Sequence, residues 1–505
     1  MKPLEISVLD APAAEVATPL LVIPWFEEER AMPGAAEIDG RMAGAIGVLL
    51  DRGDFRGRKD EYAVLYPREG EIRPERVLLV GLGKREKFGA EPLRRALGTA
   101  VRQAQRLGVA ELAVLMPEAA AGVDAERLGQ AAAEAVTLAA WEFRELKSQP
   151  PEDGPRVEIA SLALVAGGAA RADVQRGARV GEIAARGENL ARELAARPGN
   201  LATPSHLASV AEELGRRHGF AVTVLDREAM RAEGMGALLA VARGTEEEPR
   251  FIVIGSMRGG EGEPPLVLVG KGVTFDSGGI SLKPAQNMEE MKYDMSGAAA
   301  VLGALQAIAE LDLRVNVVGL IPSAENLPSG KALKPGDVVR SHLGKTIEVV
   351  NTDAEGRLLL ADALSYARRF RPAAVVDAAT LTGACTIALG HHAIGLMGND
   401  DALVAAVREA GERSGERCWV LPLWDEYRAQ LDSDVADIKN TGGRPAGTIT
   451  AGWFLKEFAS EFPWAHLDIA GTAYLDDVPP YLRKGPTGVP TRLFVEWIRG
   501  RARQG

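Results

Sequence analysis

Three short segments concentrate side chains able to do chemistry. In GKGVTFDSGGISLKP, residues 270 to 284, Lys271, Asp276 and Lys283 stand among glycines that permit tight turns. EEMKYDMSGAAAV, residues 289 to 301, places Asp294 ahead of a run of small residues. VVNTDAEGRLLLADAL, residues 349 to 364, packs Asp353, Glu355 and Arg357 between two apolar stretches. Two carboxylates with one residue between them can both point at a metal pair from a strand end, whereas a solvated acidic turn leaves Arg357 unexplained. Together the segments supply Asp276, Asp294, Asp353 and Glu355 as oxygen donors and Lys271 as a nitrogen donor, without Cys or His. Such a hard set suits Mn, Mg or Zn in a bridged pair, and cations would offset the repulsion of gathered carboxylates.

Each segment also has a plainer reading. Asp294 before a helix can serve as an N-cap with no other duty. Gly270 and Gly272 begin like a dinucleotide fingerprint, but Phe275 stands where the third glycine is needed, and Gly81 and Gly83 are followed by Glu86. A nicotinamide site is rejected at both places.

Ligands of open α/β sheets bind at the carboxyl ends of strands, so residues just after apolar runs must be positioned by those runs. The runs at 220 to 225, 251 to 255, 265 to 270, 315 to 322 and 373 to 381 read as strands buried on both faces, with helical stretches at 298 to 311 and 357 to 370 between them. Earlier in the chain, strands at 77 to 83 and 111 to 117 alternate with Ala-rich helices such as 125 to 143. The polar run 147 to 156 reads as a loop, 157 to 165 as a strand, and 172 onward as one long helix ended by Pro198 and Gly199. The expected fold is α/β. A smaller N-terminal α/β domain (1 to 170) is joined by a connecting helix (171 to 198) to a larger α/β domain (199 to 505), with a mixed, largely parallel sheet covered by helices.

A chain of 505 residues exceeds what one core usually supports. Cys385 and Cys418 show no CxxC spacing, so neither a disulfide framework nor a thiolate zinc site is suggested and a reducing compartment fits. The N-terminus lacks an apolar stretch behind a basic cluster, and no window reaches the length of a membrane span, so a cytoplasmic location is expected. The net charge of −11 argues against general nucleic-acid binding. Arg94, Arg95, Arg102 and Arg106 form a local exception, read as a solvated helix face. The histidines at 206, 218, 342, 391, 392 and 466 share no spacing with the carboxylates, and His466 reads as a hydrogen-bonded core residue.

GKGVTFDSGG, MKYDMSGAAAV and NTDAEGRL resemble the leucyl aminopeptidase (cytosol aminopeptidase) family of two-metal peptidases. The similarity extends through PGNLATPSHLA, ENLPSG, DAATLTGA, SDVADIKNTGG, WAHLDIAGTA and TGVPTRL, spanning about residues 190 to 495. The resemblance implies that Lys271, Asp276, Asp294 and Glu355 hold one metal and that Asp276, Asp353 and Glu355 hold the other. It also implies Lys283 and Arg357 as catalytic side chains, a bicarbonate proton shuttle at Arg357, and Met291, Asn351, Thr380 and Gly383 on the substrate side. Expected partners are peptides with a free N-terminus and further copies of the chain in a homohexamer of two trimers. A different two-metal hydrolase, such as a phosphoesterase, is disfavoured because those sites commonly add histidine ligands. A DNA-binding accessory role is the reading from another class.

Overall fold

The computed structural model describes residues 4–119, 122–149 and 156–502. Residues 150–155, the middle of the expected loop, lie outside the described residues. The chain divides into two compact units, Met1–Arg186 with Asp477–Lys484, and Gly187–Asp476 with Gly485–Gly505.

The first unit is built on a six-stranded sheet. Its strands are β1 (Glu5–Leu9), β2 (Leu21–Phe26), β3 (Tyr62–Leu65), β4 (Val77–Gly83), β5 (Glu111–Leu115) and β6 (Ser161–Val165), in the order β1-β6-β5-β2-β4-β3. All pairs are parallel except β3 with β4. The inner strands β2 and β4 are buried along their whole length, as their unbroken apolar runs require. Helices α1 (Ala90–Arg106) and α2 (Ala125–Ala140) pack together, and α3 (Ala170–Ala196) is the expected long helix. The arginines of α1 do not form one solvated face. Arg94 is buried and its Nε donates to Glu134 at 2.6 Å, Arg95 pairs with Asp60, Arg102 donates to the Leu482 carbonyl, and Arg106 reaches the Tyr62 hydroxyl. Helical periodicity groups these residues correctly, but it cannot show that Glu134 waits beneath one of them.

The second unit holds a nine-stranded sheet made of β7 (Ala221–Leu225), β8 (Arg250–Met257), β9 (Leu266–Gly270), β10 (Gly272–Asp276), β11 (Asn316–Asn326), β14 (Ala374–Ala379), β15 (Ile394–Gly398), β16 (Cys418–Val420) and β18 (Trp464–Asp468). Three more, β12 (Val338–Arg340), β13 (Thr346–Glu348) and β17 (Ile438–Lys439), form a small separate sheet, and the short strands Tyr474–Leu475 and Gly485–Pro486 pair with each other. In the large sheet the order is β16-β15-β18-β14-β9-β11-β8-β7, with β10 also pairing β11. A central parallel block, β18-β14-β9-β11, is flanked by antiparallel pairings on each side. The fold class and mixed sheet agree with the sequence reading, but β7 does not lie buried on both faces. It is the edge strand, antiparallel to β8 and partly exposed along its length, a position that its apolar composition alone cannot reveal.

Helices α4 (Ser296–Glu310) and α5 (Gly356–Ala367) cover opposite faces of the parallel block. Gly319 of β11 faces Val301 and Leu305 of α4, while its neighbours Val318 and Leu320 share a core with Leu358, Leu359 and Leu360 of α5. Both helices are apolar nearly all round because each is buried nearly all round. No described helix is long and apolar enough to cross a membrane, and both cysteines are buried free thiols.

Candidate active site

The parallel block delivers its carboxyl ends to one edge, and the chemistry gathers there. Lys271 follows β9 directly, with its amide bonded to Ala378 of β14 and its carbonyl to Ala298 of α4. Asp276 is the last residue of β10, Asn326 the last of β11, and Thr380 comes just after β14. Asp353 and Glu355 lie in the turn between β13 and α5, and Arg357 opens α5. A short 3-10 helix, Met288–Tyr293, leads into Asp294. A Cβ at position 356 would sit 2.5 Å from Lys271 Cε, so any residue larger than glycine would push that side chain away from its partners. Gly278, at φ +87°, lets the chain turn sharply beside Asp353.

The three segments converge as their residue types suggest. Ligand atoms of Asp276, Asp353 and Glu355 lie within 4.8 Å of one another. Lys271 Nζ donates to Asp294 Oδ1 (2.8 Å) and to the Thr380 carbonyl (2.9 Å), and stands 2.9 Å from Glu355 Oε1. Lys283 Nζ lies 2.8 Å from Asp276 Oδ2 and 2.5 Å from Asp353 Oδ1. Asp294 does not cap α4. Met295 holds the N-cap position without a side-chain bond, and the Asp294 carboxylate instead takes Lys271 and the Thr380 hydroxyl at 2.6 Å.

Two lysines among four carboxylates leave negative charge uncompensated, and the electrostatics reflect it. Burial pushes the Asp294 carboxyl well above the usual range and Glu355 in the same direction; the Asp276 charge adds to the effect at both and the Glu355 charge at Asp294, against Lys271 and Lys283. Burial likewise raises Asp353 against the pull of Lys283. Burial alone would lower the lysines, yet Asp294, Glu355 and Asp276 hold Lys271 above its ordinary value, and Asp276, Glu355 and Asp353 do the same for Lys283. Asp294 Oδ2, Asp353 Oδ1 and Glu355 Oε1 are buried, and each lies in ion-pair range of an ammonium without accepting a directed hydrogen bond from any described residue. Buried acceptors left this way are costly, and divalent cations would satisfy them. The donor set therefore fits a metal pair.

Arg357 is buried, and burial lowers its pKa to about 10 despite Glu355 and Asp468. Its Nη1 donates to the Asn440 carbonyl at 2.7 Å, while Nε finds no acceptor among the described residues. Of the expected substrate-side residues, Thr380 is bound into the carboxylate cluster and Asn351 Oδ1 accepts the Asp353 amide. Met291 is half-buried in the 3-10 helix, and Gly383 is exposed at the start of α6 (Gly383–Leu389).

Hydrogen bonds tie the loops together through residues to which the sequence assigns no role. Asn326 Nδ2 donates to Asp276 Oδ1 (2.8 Å) and to the Thr352 carbonyl (3.0 Å), and Thr352 Oγ1 donates to the Gly278 carbonyl. Beneath this rim lie further buried aspartates. Asp377 is paired with Trp464 Nε1 and His466 Nδ1, so His466 is a hydrogen-bonded core residue as expected. Asp468 accepts from the amides of Leu381, Thr382 and Ala470 and from the Thr382 hydroxyl, and Asp362 accepts from the amides of Leu238 and His342.

The family model of the cytosol aminopeptidase catalytic domain matches residues 189–495, and that of the same family's N-terminal domain matches residues 22–150. The chain belongs to the cytosol aminopeptidase family. It is a hydrolase, an aminopeptidase of a metal-dependent family. A probable cytosol aminopeptidase of Geotalea uraniireducens is 48% identical over 466 residues, covering 92% of this chain and 93% of the relative. That of Geobacter sulfurreducens is 48% identical over 468 residues, 93% of each. Among solved structures, a tomato leucine aminopeptidase variant superposes with a TM-score of 0.88 at 34% identity, covering 98% of this chain and 96% of that one. A bottromycin maturation enzyme in complex with Mn gives 0.84 at 35% identity, covering 96% and 100%. Family membership now covers the first unit as well, where the sequence motifs gave only α/β character.

Proposed function

We propose that the chain removes N-terminal residues, leucine and other apolar ones foremost, from peptides with a free α-amine, using two divalent cations, Mn or Zn with Mg as the third choice. The observation that carries this reading is the convergence of Asp276, Asp353 and Glu355, flanked by Lys271 and Asp294, with buried carboxylate oxygens left unsatisfied. Lys271, Asp276, Asp294 and Glu355 would hold one cation, and Asp276, Asp353 and Glu355 the other. Lys271 serves as a ligand only as the neutral amine, a form that adjacent cations favour. When bound, such a pair acidifies water and polarises a carbonyl.

Lys283, the more exposed of the two lysines, has the reach to donate to the peptide carbonyl oxygen as negative charge develops there. Arg357 stays protonated and so cannot take up a proton; its part is to hold an anion, bicarbonate by the family resemblance, against its unpartnered Nε. Met291, Asn351, Thr380 and Gly383 would line the substrate side. We further propose a cytoplasmic homohexamer of two trimers, testable by light scattering of the purified protein.

The deciding experiment is hydrolysis of leucine p-nitroanilide by protein stripped of metal and then resupplied with Mn or Zn, beside Glu355→Ala. Metal-dependent cleavage lost in the variant supports the reading. No cleavage of any unblocked aminoacyl substrate with any metal overturns it.

A further inference from the structure

We infer that Asn440 is a positioning residue for this reaction, setting the turn that carries Asp353 and Glu355 and, through its own carbonyl, the side chain of Arg357. The inference rests on the two-cation reading given above.

The geometry starts in the small sheet. β17 runs parallel to β13 for one register step, Ile347 beside Ile438 and Glu348 beside Lys439, and the Asn440 amide then donates to the Glu348 carbonyl at 2.9 Å. Flanking contacts hold the two segments together, with Asp437 Oδ2 accepting from the Thr346 amide and hydroxyl at 2.8 Å. Past this point the backbone ladder stops and the Asn440 side chain takes its place. Oδ1 accepts from the amides of Val350 (2.8 Å) and Asn351 (3.3 Å), while Nδ2 donates to the carbonyls of Asn351 (2.7 Å) and Ala354 (3.3 Å).

Both lone pairs and both N–H groups of the amide are thereby used, in a residue with no solvent exposure. The pattern also fixes which way the amide points, because a flipped side chain would set its NH2 against two N–H groups. The bonded positions 351 and 354 bracket Asp353, whose amide is held in turn by Asn351 Oδ1. Asn326 holds Asp276 and also the Thr352 carbonyl, so a turn released from Asn440 keeps its anchor at 352 while the stretch from 353 to 355, which carries Asp353 and Glu355, is freed to shift relative to Asp276. The Asn440 carbonyl that accepts from Arg357 Nη1 lies on the same segment and would shift with it. Aspartate at 440 would turn a carboxylate oxygen toward two carbonyls, and serine lacks the second donor.

The control is Asn316, a buried amide of the same type. It accepts from the Gly259 amide and donates to the carbonyls of Gly260 and Glu263, at the opposite end of β11 from Asn326. Wild type, Asn440→Ala, Asn440→Ser and Asn316→Ala would be compared by calorimetric Mn titration of the metal-free protein, by kcat and KM on leucine p-nitroanilide, and by thermal midpoint. For Asn440→Ala the expected result is a Kd for Mn raised ~10- to 100-fold and a kcat lowered about 100-fold, with KM within ~3-fold of wild type. Asn440→Ser falls between that variant and wild type. Asn316→Ala lowers the midpoint but leaves Mn affinity and kcat in place. Wild-type affinity and kcat in a folded Asn440→Ala protein overturn the inference while the aminopeptidase reading stands. Failure of both Asn440 variants to fold where Asn316→Ala folds also overturns it, because the residue then serves the fold alone. A wild-type protein that neither binds Mn nor cleaves the substrate removes the reading beneath it.

Discussion

Two sets of buried carboxylates lie in the second unit and are treated in opposite ways. At the strand ends, Asp294, Asp353 and Glu355 each keep an oxygen that accepts no hydrogen bond among the described residues. Deeper in the same sheet and its covering helix, Asp377, Asp468 and Asp362 have a donor for every carboxylate oxygen, supplied by an indole, an imidazole, a hydroxyl or backbone amides. Asp353 is half-buried, but Asp294 and Glu355 are buried much as the deeper set is, so burial alone does not separate structure from chemistry here. Satisfaction does. A buried charge with its partners in place completes the fold, whereas one with spare lone pairs calls for something from outside the chain.

The comparison breaks if the two sets respond alike to substitution. Asp377→Ala leaves Trp464 and His466 without their partner and should cost about 3–5 kcal/mol of stability, as removal of one member of a buried pair does. Denaturant unfolding measures that cost, and Mn affinity should stay near wild type; a parallel loss of Mn affinity would merge the sets. Cation addition should separate them from the other side. At a hundredfold excess over Kd, Mn should stabilise the wild-type protein by about 2.7 kcal/mol and Glu355→Gln by much less, read as thermal shifts. In metal-free protein, Glu355→Gln should melt no lower than wild type, because it removes one of the mutually repelling carboxylates that burial and Asp276 already disfavour. A clear drop in the midpoint would mean that Lys271 depends on Glu355 more than the repulsion costs.

The smallest expected effect is a pH slope. Burial lowers the His466 pKa, but the Asp377 charge and hydrogen bond, helped by Asp468, hold it above the usual value, with Arg357 opposing. The charged imidazole therefore contributes stability that is complete below the unfolded pKa of about 6.5 and is lost as pH rises through the higher folded value. Thermal midpoints of wild type measured between about pH 6 and pH 9 should fall more steeply than those of His466→Phe. Equal slopes would remove His466 from the account.

The candidate site residues are legible in the sequence because each lies within a few positions of a strand end or a turn. Lys271, Asp276, Asp353 and Glu355 announce themselves beside apolar runs of the right length. The supporting residues carry no such mark. Asn326 and Asn440 act through amide bonds to backbone groups tens of residues away, and only the folded chain shows what they touch. Asp294, taken by itself, reads as a helix cap, and it is Lys271, arriving from another strand, that gives its carboxylate a different partner. The exposure of β7 and the burial of Arg94 depend on what lies alongside them, β8 alone in one case and Glu134 in the other.

The short excursion Asp477–Lys484 gives the molecule a timetable. Tyr481 and Leu482 belong to the hydrophobic core of the first unit, Tyr481 bonds Glu91 through its hydroxyl, and Gly98 of α1 leaves room for the backbone at Pro480 and Tyr481. These residues are synthesised after the whole stretch Gly187–Asp476 that separates them from the rest of their unit. At the usual pace of synthesis, about 5–20 residues per second, the first unit waits some tens of seconds for its final core side chains. The first unit is thus begun early and completed late, and a chain truncated before residue 477 would leave behind an unfinished first unit as well as a shortened second one.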